Sequence, residues 1–291
     1  MFKGTATAVI TPFDSNYELD LVAYEKIVSF QLEASIDALV VLGTTGEAPA
    51  IDNDEREKIT LKTLEKVRKK IPVIVGCGTN SYKKTLYNVK QAEKLGVDGL
   101  LIVNPYYNKG TQKSLYLYYK ALAEETTLPI MLYNVPSRTG MNIAPETAIK
   151  LSEDFRNIVA IKEASSDFSH IAKLFALRND KLKIYSGNDD TAVMMCLCGG
   201  DGVVSVLSNA YPKETREMIN AALSKDLYRA FNLNKKLYKM MKALFIETNP
   251  MPIKYVASKL GLCENVLRLP LCSIEEGTEK VLNQEIENLR S

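Results

Sequence analysis

The chain has 291 residues, 46% of them hydrophobic and 25% charged, which suits a folded protein with a large core and excludes a disordered chain. Its 37 lysines and arginines against 35 aspartates and glutamates leave a net charge of +2, so no basic face is available for a phosphate backbone and nucleic acid is not an expected partner. Five scattered cysteines and a single histidine exclude a disulfide framework, a three-histidine metal site and a histidine-based triad. The start, MFKGTATAVITPF, reads as a strand entering a turn rather than a secretory signal, and no apolar run is long enough to span a bilayer. A reduced, cytoplasmic chain without a metal site is expected.

Along the chain, short runs rich in Val, Ile and Leu alternate with stretches of helical period, the pattern of βα units in a parallel sheet. Eight such runs occur: TATAVI at 5–10, DALVVL at 37–42, PVIVG at 72–76, GLLIV at 99–103, PIMLY at 129–133, IVAIK at 158–162, LKIYS at 182–186 and VVSVL at 203–207. Helices are predicted between them over 21–34, 54–69, 83–95, 112–125 and 145–151. Eight repeats point to closure into a (β/α)₈ TIM barrel over residues 1–224. An open doubly wound sheet is the alternative, but it announces itself with a glycine fingerprint after the first strand, where this chain reads TPFDSN. Segments 212–224, 227–244, 252–260 and 274–289 read as helices with no further strand, so residues 225–291 are expected to form a C-terminal helical extension.

In such a barrel the reactive residues sit at the carboxyl ends of the strands and in the loops beyond them. Those positions are polar here: GTTGE, NPYYNKG, YNVPSRTG, KEAS and SGNDD follow strands two, four, five, six and seven. Lys162 ends an apolar strand at the mouth, where partial desolvation can free an amine to attack a carbonyl; the residues alone also allow a solvated lysine whose stem packs on the rim. Tyr133 ends the neighbouring strand and can shuttle protons, or be a core tyrosine with a satisfied hydroxyl. Thr44 and Tyr107, both in strand-end loops, would extend the hydroxyl chain toward solvent. The turn holding Thr44 and Thr45 offers backbone N–H groups and hydroxyls for a carboxylate, or is a plain glycine-bearing turn. Arg138 is a fork-shaped cation for a second carboxylate, or a surface ion-pair residue. Asp189 and Asp190 cap the next helix or repel a phosphate, and either role disfavours a sugar-phosphate substrate. His170, away from any strand end, reads as a surface or packing residue.

The motifs GTTGEA, NPYYNK, YNVPSRTG, IKEAS, YSGNDD, GVVSVLSN and ETNPMPIK, in this order and spacing, resemble the pyruvate-dependent class I aldolase and lyase superfamily, and within it the dihydrodipicolinate synthases, over nearly the whole chain. The resemblance implies that Lys162 forms a Schiff base with pyruvate, while Thr44, Tyr107 and Tyr133 relay protons. It implies that Tyr107 reaches into the site of a neighbouring subunit, in a homotetramer built as a pair of tight dimers. Thr45 joins Thr44 in holding pyruvate's carboxylate, Gly187 and Val204 line the pocket, and Arg138 holds the carboxylate of L-aspartate 4-semialdehyde. The implied product is 4-hydroxy-tetrahydrodipicolinate, at the entry to the diaminopimelate and lysine branch. The protonated imine is its own electron sink, so no cofactor is implied.

One departure bears on regulation. Lysine-sensitive members carry an acidic residue where this chain has Lys84 and histidines where it has Asn53 and Arg56, although Asn80 and Tyr106 match their effector pocket. A cation at Lys84 repels an effector's amine, so weak or absent feedback by lysine is expected. Two rival functions are carried forward. One is an N-acetylneuraminate lyase or keto-deoxy sugar-acid aldolase, disfavoured by Arg138 and the NPMPIK segment. The other is a non-catalytic keto-acid-binding barrel, which would not require a desolvated nucleophile.

Overall fold

The computed structural model describes residues 1–290. Eight parallel strands close on themselves in sequence order: β1 (Gly4–Ala8), β2 (Ala38–Val41), β3 (Val73–Gly76), β4 (Gly99–Val103), β5 (Ile130–Asn134), β6 (Ile158–Glu163), β7 (Lys183–Ser186) and β8 (Gly202–Ser205). Helices α1 (Leu21–Glu33), α2 (Asn53–Val67), α3 (Tyr82–Leu95), α4 (Gln112–Ala123), α5 (Pro136–Thr139), α6 (Pro145–Asp154), α7 (Phe168–Leu177), α8 (Asp189–Leu197) and α9 (Pro212–Leu223) follow the strands. The last segment adds α10 (Leu227–Ala243), α11 (Met251–Lys259) and α12 (Glu276–Arg290). The architecture is the expected TIM barrel with C-terminal helices.

Strand residues alternate between two apolar cores, as a pleated barrel requires. Ala38, Val40, Ile74, Leu101, Met131, Ala160 and Val204 fill the barrel interior. Leu39, Val73, Val75, Leu100, Leu132 and Ile161 face the surrounding helices. The amino-terminal end of the barrel is plugged: Phe2 stacks on Tyr185 with ring centroids 4.4 Å apart, and the Tyr185 hydroxyl donates to the Phe2 carbonyl. At the closing seam a Cβ on Gly202 would lie 1.8 Å from the Gly4 carbonyl, and Gly202 has φ +147°, so only glycine fits there.

Helix starts follow local chemistry. Asp52 and Glu55 form a reciprocal capping box on α2, Ser81 caps α3, and Gly96 in the left-handed region ends α3. The strand ends differ from the sequence reading for physical reasons. The first apolar run extends to Ile10, but β1 stops at Ala8 and the Ile10 N–H turns to the Asn209 side chain at 3.1 Å. The eighth run extends to Leu207, but the Val206 and Leu207 amides both donate to the Asp189 carboxylate at 2.9 Å, which ends β8 at Ser205.

The last three helices are joined closely to the barrel. Helix α10 packs on α8, α9 and α12. Beyond it, a buried ion pair joins Lys254 of α11 to Glu47 in the loop after β2, and a two-pronged bridge joins Arg268 to Glu55 of α2 at 2.6 and 2.7 Å.

Candidate active site

At the carboxyl end of the barrel, Tyr133 of β5 and Lys162 of β6 are register partners, and both point inward. Their side chains meet, with the Lys162 ammonium 4.3 Å from the Tyr133 ring centroid. Lys162 is 5% exposed, yet among the described residues its Nζ has no hydrogen-bond or ion-pair partner. A buried amine costs free energy unless something compensates it, so one held here against a π face is unusual for a structural lysine. The adjacent Glu163 does not supply a counter-ion, because strand alternation turns it to the outer side of the barrel. There it accepts from the Asn134 amide at 2.8 and 2.9 Å, from the Ser165 N–H at 2.6 Å and from His170 at 3.2 Å.

His170 is therefore more than the surface or packing residue read from sequence. It is the hydrogen-bonding partner of a buried carboxylate, and that bond raises its pKa above the ordinary 6.5 against the opposing effect of burial.

Two neighbours shape the space around Lys162. A Cβ on Gly187 would lie 2.7 Å from the Ala164 Cβ and 3.1 Å from the Lys162 Cε, so glycine leaves the lysine its room. Val204 is fully buried in the interior core below. A cavity of about 960 Å³ opens at the mouth, lined by Thr44, Tyr133 and Arg138 among others, with Lys162 behind the Tyr133 ring rather than in its wall. Thr44 has no side-chain hydrogen bond to a described residue and faces this space. Arg138 makes no ion pair among the described residues, which excludes the surface ion-pair reading within this chain. Its guanidinium donates to the Asn249 carbonyl at 2.9 Å.

Asn249 was not legible as a site residue, and it links both sides of the mouth. Its side-chain amide donates to the Thr45 hydroxyl at 3.0 Å while its carbonyl holds Arg138. Thr45 is buried against this segment rather than lining the cavity. Tyr107 stands apart from the group. It is 91% exposed, has a φ of +70°, and does not line the cavity, which takes Tyr106 instead.

The two aspartates after β7 divide their roles. Asp189 is buried and binds the amides after β8, occupying the donors that a phosphate would need at that end of a barrel. It does not cap α8, whose N-cap is Asn188. Asp190 pairs with Lys242 of α10 at 3.1 Å. Among the described residues no group of three or more His, Cys, Asp or Glu side chains could hold a metal ion, and no helix is long and apolar enough to cross a membrane.

A buried amine without an ionic partner at the open end of a barrel can add to a carbonyl, and the fold and mouth together define the class of barrel lyases. Comparison with known proteins agrees and is more specific. The family model for the dihydrodipicolinate synthetase family matches residues 1–289. A 4-hydroxy-tetrahydrodipicolinate synthase of Thermotoga neapolitana is 52% identical over 286 residues, covering 97% of each chain. The crystal structure of dihydrodipicolinate synthase from Thermotoga maritima superposes with a TM-score of 0.98 at 49% identity, covering 100% of this chain and 99% of that one. A structure described as a monomeric dihydrodipicolinate synthase variant superposes with a TM-score of 0.97 at 49% identity, covering 99% and 97%. The chain belongs to the dihydrodipicolinate synthetase family.

Proposed function

We propose that this chain condenses pyruvate with L-aspartate 4-semialdehyde to give 4-hydroxy-tetrahydrodipicolinate, with Lys162 as the amine that captures pyruvate. The observation that carries the reading is the Lys162 side chain: nearly buried, without an ionic partner, and lying against the Tyr133 ring. In the neutral form its nitrogen adds to the ketone of pyruvate, and loss of water gives the imine. The imine acidifies the adjacent methyl group, which loses a proton to give the enamine, and the enamine carbon attacks the aldehyde of the second substrate. The amine of that substrate then displaces Lys162, closing the ring and freeing the enzyme.

Tyr133 and Thr44 move the protons of these steps at the mouth, and Tyr107 completes the relay from a neighbouring copy in a homotetramer of tight dimers. The exposure of Tyr107 suits a residue that acts outside its own chain, whereas the monomeric relative indicates that oligomers are not demanded by the fold. Thr44 and Thr45 hold the carboxylate of pyruvate, Arg138 that of the semialdehyde, and Gly187 and Val204 shape the pocket. Residues 1–224 act as the catalytic barrel, and residues 225–291 act as a helical extension that fixes the mouth through Asn249 and Lys254. The enzyme works in the cytoplasm and requires no cofactor.

Borohydride reduction in the presence of pyruvate tests the central step. A pyruvate-derived mass increment mapped to Lys162 is expected, absent in Lys162→Ala. An unmodified lysine would overturn the imine mechanism and leave the keto-acid-binding barrel. A coupled assay with aspartate semialdehyde, beside cleavage assays with sialic acid and keto-deoxygluconate, separates the synthase from the related lyases.

A further inference from the structure

Tyr133 and Lys162 are register partners, and one step further along the same two strands so are Asn134 and Glu163. Pleating turns this second pair to the outer side of the sheet, where both residues are fully buried. The Ile143 N–H donates to the Asn134 Oδ1 at 2.9 Å, so the amide nitrogen is the atom that faces Glu163. The other hydrogen of that nitrogen goes to the Asn142 Oδ1 at 3.0 Å. The His170 Nε2 lies 3.2 Å from the carboxylate, which can only accept, so Nε2 carries a hydrogen and donates it. Asn134, Glu163 and His170 thus form one clamp across the ends of β5 and β6, and the Ser165 N–H closes it on the chain beyond.

Position gives this clamp its reach into the site. Neighbours along a strand face opposite ways, so a contact that pins residue 163 from outside also sets the peptides on either side of it. Those peptides carry Lys162 and Ala164, and Ala164 packs inward where Gly187 leaves the lysine its room. Asn134 does the same for Tyr133. Through Asn142 and Ile143 it also ties in the segment that follows α5, the short helix of Arg138.

Stability alone is a poor account of these residues. A fully buried carboxylate bonded to no lysine or arginine among the described residues is costly, and apolar side chains of similar volume pack as well or better. His170 is the group that answers the charge. Its side chain is 9% exposed, and the bond to Glu163 raises its pKa, helped by the charges of Asp167 at the start of α7 and of Glu146 on α6, which is itself paired with Lys173.

We propose that His170 is a positioning residue for the reaction of Lys162: its Nε2–H, donated to Glu163, holds the ends of β5 and β6 in the geometry that sets the amine against the Tyr133 ring. His170 lies outside the barrel wall and touches no substrate; it acts through Glu163 and Asn134 on the residues beside them. The proposal rests on the imine reading of Lys162.

Borohydride trapping, timed at saturating pyruvate, reads the placement of the amine, and calorimetry confirms that each variant is folded at the assay temperature. His170→Leu removes the donor, and trapping is expected to slow about ten- to a hundredfold. Glutamine carries an amide N–H at the reach of the imidazole Nε2, so His170→Gln is expected to trap within about threefold of the parent. The double variant Glu163→Met/His170→Leu removes the charge together with its donor, so its stability returns toward the parent's while its trapping stays slow. It decides the question if the single leucine variant does not fold. A folded leucine or double variant that traps like the parent, or a glutamine variant as slow as the leucine one, would overturn the proposal. Parent protein that failed to trap pyruvate would sink the imine reading and the positioning role with it, whereas a trapping parent with unslowed variants sinks the positioning role alone.

Discussion

Replacing Lys254 with Met should destabilise the chain more than almost any other single change outside the barrel strands. Lys254 and Glu47 are 0% and 1% exposed, so the pair is screened by neither water nor salt. The lysine also donates to the Val266 carbonyl at 2.9 Å and lies 4.4 Å from the Phe13 ring, whose other neighbour is the Arg268 guanidinium at 4.2 Å. Methionine fills most of the volume but leaves the Glu47 carboxylate buried, with only the Arg268 N–H at 3.1 Å to satisfy it. Removing one partner of a buried pair costs about 3–5 kcal/mol. For a chain of this size, at about 2 °C per kcal/mol, the midpoint of thermal unfolding should fall by about 6–10 °C. The double variant Glu47→Gln/Lys254→Met removes both charges and should recover most of that loss, since a neutral replacement of a buried pair is often nearly free. Glu47 adopts a left-handed φ of +53° at the end of the turn that carries Thr44 and Thr45, so the single variant should also lose turnover as that turn relaxes. Differential scanning calorimetry beside a steady-state assay reads both effects. A Lys254→Met midpoint within about 2 °C of the parent, or a double variant as unstable as the single, would refute the reasoning.

Gly187→Ala places a methyl against the rigid Ala164 Cβ at 2.7 Å, so the Lys162 side chain must shift. Borohydride trapping of pyruvate should slow by about ten- to a hundredfold, as misplaced reacting groups do, and an unchanged rate would show that the glycine does not shape the pocket. The one histidine gives an unambiguous NMR signal, and His170 should titrate above 6.5, dropping in Glu163→Gln; a midpoint at or below 6.5 contradicts the pairing. Because its folded pKa is raised, the stabilisation from protonated His170 is complete below the unfolded value of about 6.5 and is lost as pH climbs through the folded value. Lysine should inhibit weakly or not at all, given Lys84, Arg56 and Asn53 on the cavity wall, and half-inhibition at sub-millimolar lysine would refute that reading.

The barrel was legible because strands covered by helices outside and by a packed interior read as near-continuous apolar runs, which local pattern finds readily. Ends were less legible where a distant group captured an amide: Asp189 terminates β8, and nothing near Val206 and Leu207 in sequence announces it. Lys162 and Tyr133 were legible as candidates because a polar residue at a strand end breaks the apolar pattern just where a barrel keeps its chemistry. Asn249, Lys254 and Arg268 were not visible as parts of the mouth. Their partners Thr45, Glu47 and Glu55 lie more than 200 positions away, so periodicity carries no trace of the contact. The relation of Glu163 to His170 was missed for a different reason. The two are seven residues apart, but the strand-to-helix turn that joins them sets their meeting, and residue type alone does not specify that turn.

The placement of acids near the mouth explains why the cavity remains cationic. Four carboxylates in the loops and helices around the mouth are each engaged elsewhere. Glu47 is held by Lys254, Glu55 by Arg268, Glu163 by Asn134 and His170, and Asp189 by two backbone amides. All four arrangements draw on residues outside the strand and loop that carry the acid, and two of them on the C-terminal segment. Arg138 has no ion pair among the described residues, its guanidinium donating to the Asn249 carbonyl. The C-terminal segment thus bears on the mouth without entering it: through Lys254 and Arg268 it takes up two acids of the adjoining loop and helix, and through Asn249 it holds Thr45 and Arg138.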